Sequence, residues 1–392
     1  MKSIIIHQKK ESSLRRFHPW VFSGAIKQQD SSLEDGDTVA LYGEKGGFLA
    51  SGHYQSGSSI AVRILSFRES PLDQAFWNQK MVEALEVRRQ LGLSGQEQTN
   101  CFRLIHGEGD GLPGLIIDIY DHTAVVQCHS IGMQRSLDFI TRALQQAFGE
   151  SLQAIYDKSA ETLPTQVADS YQNSYLFGEA HPTTVKEYGH LFKIDWEGGQ
   201  KTGFFLDQRE NRRLLTHYVA GKIVLNSFCY TGGFSVYALQ AGAAEVHSVD
   251  ASRKAITLAE ENVLLNHFIT RHEAICDDVL HFLRHTTATY DVMVVDPPAF
   301  AKSLAKRHQA VQGYKRLNAL ALEKIKPGGI LFTFSCSQVV DEALFYHTIV
   351  AAALEVGRPI RVLHRLSQPA DHPVNIFHPE GAYLKGLVLW VG

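Results

Sequence analysis

"IVLNSFCYTGGFSVYALQAGAAEVHSVD", residues 223–250, decides the fold of this chain. An apolar run ends in a polar turn at Thr231-Gly232-Gly233, a helical stretch follows, and a second β-type run closes on an acid. Strand, glycine turn, helix and strand make up the repeating unit of a parallel sheet with right-handed crossovers. The alternation continues with a helix from Arg253, "EAIC" (273–276), a helix from Val279 and "YDVMVVD" (290–296). A helix through Ala319, "GILFTFS" (329–335), a helix from Asp341, "IRVLHRL" (360–366) and "YLKGLVLWV" (383–391) complete it. The pattern predicts a doubly wound α/β domain over 191–392. It is entered through a hairpin-like "HLFKIDWEGGQKTGFF" (190–205) and a helix in "DQRENRRLLTHYVA" (207–220). The last run has no helix before it and is expected to insert antiparallel at an edge.

Two further segments precede this domain. Up to about residue 70 the chain shows short β-like runs, "TVALYG" (38–43), "GGFLASGHY" (46–54) and "SIAVRILSF" (59–67), which read as a small all-β module. Residues 71–190 read as an α+β unit. Its elements are a helix from Asp73 to Leu91, a hairpin turned at Asp121-His122, an amphipathic helix from Met133 to Phe148 and a strand at "LQAIYDK" (152–158). The polar run 159–184 reads as a loop.

The totals are those of a soluble globular protein. The chain has 392 residues, 44% of them apolar and 20% charged, ample for several cores. No apolar run is long enough to span a bilayer or to serve as a signal peptide, so a cytoplasmic protein without membrane partners is expected. Five cysteines without a CxxC pair, and nineteen histidines without an HExxH motif and dispersed apart from the HxxxH pair His281/His285, speak against a disulfide framework and a metal site. The net charge of −3 hides two basic stretches. Lys2, Lys9, Lys10, Arg15, Arg16 and Lys27 face only Glu11 before residue 30, and Lys302, Lys306, Arg307, Lys315 and Arg316 stand without an acid between 301 and 322. Such stretches suit a phosphate backbone or simply a solvated face.

Ligands in open α/β sheets sit beyond the carboxyl ends of the strands, so the residues there are the candidates. Thr231-Gly232-Gly233 lets a ligand approach backbone at a helix N-terminus, although it is not GxGxxG. Asp250 is placed to accept from ribose hydroxyls, or else to cap the next helix. At Asp277-Asp278 an acid is placed for an exocyclic amine, or again for a cap. Asp296-Pro297-Pro298-Ala299-Phe300 leaves the sheet as a rigid rim, with Asp296 aimed at the ligand and Phe300 available to stack on a base, unless the prolines only terminate the strand. Cys336 follows a strand and precedes a helix, where a thiol becomes nucleophilic if cations or a helix N-terminus lower its pKa. Cys101, Cys128 and Cys276 read as inert packing, and Cys229 as a small residue lining the glycine turn.

Several stretches together carry a family resemblance. They are "RFHPWVFSGAI" (16–26), "RLIHGEGDGLPGLIIDIY" (103–120), "GQKTGFFLDQRENRRL" (199–214), "VLNSFCYTGGFSVYAL" (224–239), "VDPPAF" (295–300), "LFTFSCS" (331–337) and "ADHPVNIFHPEGAYLKGLVLWV" (370–391). The chain resembles the RlmI-type cytosine-C5 rRNA methyltransferases along its whole length. The resemblance implies a PUA RNA-binding domain (1–70), a central α+β domain (71–190) and a class I methyltransferase domain (191–392) using S-adenosylmethionine. The implied product is 5-methylcytidine in large-subunit rRNA, formed through a covalent cysteine adduct.

Residue by residue, the resemblance places Phe205, Asp207, Arg209 and Asn211 near donor or substrate. Asn226, Tyr230, Thr231, Gly232 and Gly233 surround the methionine end, Asp250 the ribose and Asp278 the adenine amine. Asp296 and Pro297 open the rim, with Asp296 also acting on the base, and Cys336 is the motif cysteine. Arg15, Arg16, Lys302, Lys315 and Phe300 become candidate RNA contacts, and Asp371-His372 a candidate proton acceptor. Two positions depart from the family pattern: Ala299 stands where a lysine is frequent, and Gln338 where a glycine is. A homodimer stays open. So do methylation of another base or atom, which needs no cysteine, and a non-catalytic RNA-binding assembly factor.

Overall fold

The computed structural model describes residues 2–179, 184–301 and 303–392, the side chain of Gln166 excepted. The chain divides into two compact units. One comprises Met1–Val185, Ile194–Leu206 and Ala370–Gly381, the other Lys186–Lys193, Asp207–Pro369 and Ala382–Gly392.

Two sheets build the first unit. In the six-stranded sheet the strands run Trp20–Phe22, Ile60–Ser66, Phe48–Tyr54, Thr38–Gly43, Lys2–Ile6 and Ile26–Gln29. Only Lys2–Ile6 and Thr38–Gly43 pair in parallel. The five-stranded sheet orders Ser174–Phe177, Ala154–Asp157, Thr123–Cys128, Leu115–Tyr120 and Cys101–His106. The expected hairpin is there, with Asp121 at φ 56° in its turn. The helix Gln74–Gln90 starts at Asp73, whose carboxylate accepts from the amides of Ala75 and Phe76. Two expectations change. The helix over 133–148 is two helices, Ile131–Arg135 and Leu137–Phe148, parted at Ser136, whose hydroxyl donates to the Gly132 carbonyl at 2.8 Å. The run read as a loop holds a short helix, Thr165–Ala168, and the edge strand Ser174–Phe177.

The second unit is the doubly wound domain. Its seven strands run His272–Cys276, Glu245–Asp250, Ile223–Ser227, Tyr290–Val295, Ile325–Ser335, Lys385–Val391 and Ile360–Leu366. The first five are parallel and the last two pairings antiparallel. The run expected at an edge, Lys385–Val391, lies inside the sheet instead. It is mostly buried, whereas Ile360–Leu366 carries Arg361, His364 and Arg365 and is mostly exposed. A strand that can face solvent takes the edge. The hairpin also shifts: His190–Lys193 belongs with Thr184–Glu187 across Tyr188 (φ 49°) and Gly189 (φ 82°), the double positive φ that two-residue hairpins favour.

Glu187 at the end of that hairpin is fully buried and anchors the unit. Arg212 donates to it from Nε (2.9 Å) and Nη2 (2.8 Å), Tyr237 donates its hydroxyl (2.9 Å), and Arg209 Nε lies 3.4 Å away. Removing one partner of such a pair leaves a buried charge uncompensated, at about 3–5 kcal/mol. Glu187→Ala is therefore expected to lose at least about 3 kcal/mol of stability, read as a lowered midpoint in urea denaturation. A midpoint equal to the parent's would show that the cluster does not anchor the fold.

Candidate active site

Four parallel strands are registered so that Val249, Ser227, Val295 and Thr333 stand in one row across the sheet. One residue beyond that row come Asp250, Phe228 and Asp296, and three beyond Thr333 comes Cys336. Backbone register thus gathers, on one edge, residues far apart in the chain.

The turn after Ser227 is the most distorted backbone on that edge. Phe228, Tyr230 and Gly232 have φ of 57°, 44° and 76°. A left-handed aromatic residue costs on the order of 1–3 kcal/mol and persists only where its surroundings enforce it. Asp250 does so here, accepting from the Tyr230 amide at 3.1 Å. A β-carbon on Gly232 would stand 3.0 Å from the Ala259 Cβ, and one on Gly233 3.1 Å from the Arg212 Cδ, so both glycines permit close packing behind the turn. The helix Gly233–Gln240 begins without a side-chain cap, which leaves its first amides as donors for an anion. Thr231 is buried, its carbonyl accepting from Asn262 Nδ2 at 2.9 Å. Asn226 lies beneath, donating to Ser235 Oγ at 2.8 Å in a polar chain that runs on to Ser248 and His272.

The capping alternatives are now resolved by geometry. Ser252, not Asp250, caps the helix Arg253–Leu265, while Asp250 Oδ1 accepts from the Ser252 amide at 2.9 Å. Both carboxylate oxygens are oriented by backbone amides and retain lone pairs for further donors. Asp278 does cap Val279–His285, accepting from the His281 amide at 2.9 Å, and its side chain is exposed. Asp277 pairs with His281 Nδ1 at 2.8 Å, which holds its carboxyl below the usual range.

A residue the sequence reading missed joins the rim to "DQREN". Gln208, buried, donates to Asp296 Oδ2 at 3.0 Å and accepts from Asn211 Nδ2 at 2.6 Å. Asp207 accepts from the Tyr383 hydroxyl at 2.7 Å. Arg209 is directed to Glu187 rather than to the edge, and Phe205 belongs to the first unit, its ring under the Lys201 ammonium at 4.9 Å.

Cys336 is half-buried, its Sγ 4.0 Å from the carbonyl of the buried Pro297. The flanking serines are structural: both are buried, and Ser337 Oγ donates to the Ala301 carbonyl at 2.7 Å. Lys385 donates from Nζ to the Ser337 carbonyl at 2.7 Å. Buried Tyr314 completes the surroundings, its hydroxyl pushed up to about 12 by burial and by the negative charges of Cys336 and Asp296. Lys385 stood inside the quoted closing motif without being singled out, and Tyr314 carried no sequence signal.

Other candidates are placed elsewhere or engaged. The Phe300 ring packs on Tyr314 at 4.6 Å between centroids, with Gly313 beneath it, so it serves the core. Lys315 is paired with Glu355 at 2.5 Å, the acid that local sequence lacked. Lys302 lies outside the described residues. Arg15 bonds Glu11 at 2.7 Å and Arg16 is exposed. Asp371 and His372 are buried in the first unit, where Asp371 accepts from the Arg103 amide at 3.0 Å and its carbonyl accepts from Arg88 at 2.9 Å. They pin the segment 370–381 rather than face solvent. That segment also completes an exposed aromatic cluster: Phe17 (φ 62°) meets Phe67 and Phe377 at 5.2 Å each, with Phe22 and Ile376 exposed nearby in sequence. The aromatics Phe17, Trp20 and Phe22 following the Arg15-Arg16 pair in "RRFHPWVF" were the overlooked signal.

A family model for S-adenosylmethionine-dependent methyltransferases matches residues 102–388, and one for a PUA-like domain matches 4–67. The ribosomal RNA large subunit methyltransferase I of Aeromonas hydrophila is 40% identical over 395 residues, covering 99% of this chain and 98% of that protein. The chain belongs to this family of S-adenosylmethionine-dependent methyltransferases. The protein of the same name from Alteromonas mediterranea is 38% identical, covering 98% of each chain. A solved structure described as a SAM-dependent methyltransferase from Streptococcus mutans superposes with a TM-score of 0.84 over 100% of both chains, at 23% identity, a likeness of fold.

The methyltransferase edge fits such a cofactor by its own chemistry: uncapped amides at Gly233 for a carboxylate, and an oriented acid at Asp250 for a diol. Losing hydrogen bonds to a charged acceptor costs about 1.5–3 kcal/mol, or roughly 10–100-fold in affinity. Asp250→Ala is expected to weaken S-adenosylmethionine binding by that factor in calorimetry, with an unchanged circular dichroism spectrum. Parent-like affinity would remove Asp250 from the cofactor's contacts.

Proposed function

We propose that this methyltransferase forms 5-methylcytidine in large-subunit rRNA, with Cys336 as covalent nucleophile and S-adenosylmethionine as the methyl donor. The observation that carries the reading is the half-buried Cys336 on the same sheet edge as Asp296 and the glycine turn. The names of the closely related proteins support ribosomal RNA as substrate.

The chemistry follows from cytosine itself. Its C5 carbon is a poor nucleophile until C6 gains a substituent. The Cys336 thiolate adds to C6, and the displaced electron pair makes C5 enamine-like. The cofactor supplies an electrophilic methyl group. Asp296, oriented by Gln208, accepts from the exocyclic amine and the protonated ring nitrogen of the base, which favours the protonated, more electrophilic ring. Loss of the C5 proton to a base or to water restores the double bond, and the sulfur leaves with its electron pair. Cysteine reaches C6 only on an unstacked base, so a flipped or unpaired cytidine is the substrate.

The three segments divide the labour in this reading. The domain at 191–392 does the chemistry, that at 1–70 binds RNA, and that at 71–190 joins them, in the cytoplasm where ribosomes are assembled. The exposed rings of Phe17 and Phe377, with Arg15 and Arg16 next to Phe17 in sequence, offer stacking faces and cations, the combination single-stranded RNA takes.

Two outcomes are expected. RNA carrying 5-fluorocytidine at the target forms a protein–RNA adduct stable to denaturing electrophoresis, and Cys336→Ala abolishes both adduct and methylation. Retention of methylation by Cys336→Ala would rule out covalent catalysis. Separately, Phe17→Ala/Phe377→Ala weakens RNA binding at least about tenfold, since each stacked base is worth about 1–3 kcal/mol, and leaves S-adenosylmethionine affinity unchanged. Equal RNA affinities would exclude the aromatic cluster from the RNA path.

A further inference from the structure

Lys385 begins the strand Lys385–Val391, which pairs antiparallel with Ile325–Ser335, and its partner on the last rung is Ser335. The chain leaves the sheet from that rung into Cys336. Lys385 then reaches forward to donate to the Ser337 carbonyl at 2.7 Å. One residue therefore engages both neighbours of the cysteine, its backbone paired with Ser335 and its ammonium on the Ser337 carbonyl.

Other groups described near Cys336 are neutral or negative. The rim contributes the Asp296 carboxylate and the Pro297 carbonyl, the latter 4.0 Å from Sγ with its negative end toward it. Tyr314, on the helix Arg307–Lys324, is a neutral phenol. Asp341, the N-cap of the helix Glu342–Val356, is a further carboxylate acting on Lys385. Burial pulls the Lys385 ammonium below its ordinary range, while negative charge on Cys336 and Asp341 holds it up. A half-buried ammonium whose field reaches an ionised thiol stabilises that thiolate in turn, because the interaction is mutual.

We propose that Lys385 is a positioning residue for the methyl-transfer reaction: its ammonium, fixed on the Ser337 carbonyl, keeps Cys336 ionised for attack and receives the sulfur again as an anion when it leaves C6. The role rests on the covalent reading of Cys336. Lys385 forms and breaks no covalent bond and stays protonated throughout.

The test is alkylation of Cys336 by iodoacetamide in the full-length protein, resolved by peptide mass spectrometry and followed against pH. Cys276, half-buried at the end of the strand His272–Cys276, is the internal reference for folding. Lys385→Met removes the charge, Lys385→Gln keeps a donor for the Ser337 carbonyl without charge, and Lys385→Arg keeps both. Met and Gln variants are expected to slow Cys336 alkylation at neutral pH by roughly tenfold, the equivalent of one pKa unit, and to displace its pH–rate profile upward. The Arg variant stays within about threefold of the parent, given the unchanged charge, and Cys276 alkylates alike in all four proteins. A Gln variant that matches the parent reduces Lys385 to a hydrogen-bond donor and overturns the proposal, as does a Met profile that superimposes on the parent's. Should Met disturb Cys276, the Gln–Arg comparison decides alone. Failure of the covalent reading is seen separately: Cys336→Ala would still methylate RNA, whatever the alkylation profiles show.

Discussion

Everything at the reactive edge depends on the register of parallel strands. Because Ser227, Val249, Val295 and Thr333 share a row, the chain has no freedom over where its next residues emerge. Asp250, Phe228 and Asp296 appear side by side although up to 68 positions separate them, the distance from 228 to 296. A slip of one residue in any pairing would turn each of these side chains to the opposite face. The buried apolar strands that resist such a slip are thus as much a part of the chemistry as the groups they deliver.

Against that row, the polar network behind the edge has a clear division. Glu187 with Arg212 and Tyr237 supports the glycine turn from within, since the Arg212 side chain it holds passes close against Gly233. Gln208 ties the segment after the turn-supporting hairpin to the rim acid. Neither contact needs solvent access, and both fix geometry that a mobile loop would blur.

Much of this was legible in the order of residues, for identifiable reasons. Strands and helices of the second unit announced themselves because a two-sided buried sheet demands apolar runs punctuated by turns, and the acid or cysteine ending each run fell where register placed it. What stayed hidden required partners distant in sequence. Lys315 looked like a free cation until Glu355 met it across two helices, and Phe300 like a stacking face until Tyr314 took it up. Asp371-His372 read as a proton acceptor, yet Arg88 and Arg103, over 260 positions earlier, hold Asp371 as an anchor. The place of Lys385–Val391 inside the sheet was missed because topology alone suggested an edge, whereas the burial demanded by its composition decided otherwise.

The path of the chain between its two units has a consequence for inheritance. The boundary is crossed after Val185, Lys193, Leu206, Pro369 and Gly381, so neither unit is an uninterrupted stretch. No single cut, by protease or by recombination, can release either one whole. A gene fragment ending before residue 370 would deprive both units at once, one of its anchoring segment and the other of an interior strand. Each unit is therefore complete only in a chain that carries the segments on both sides of these crossings.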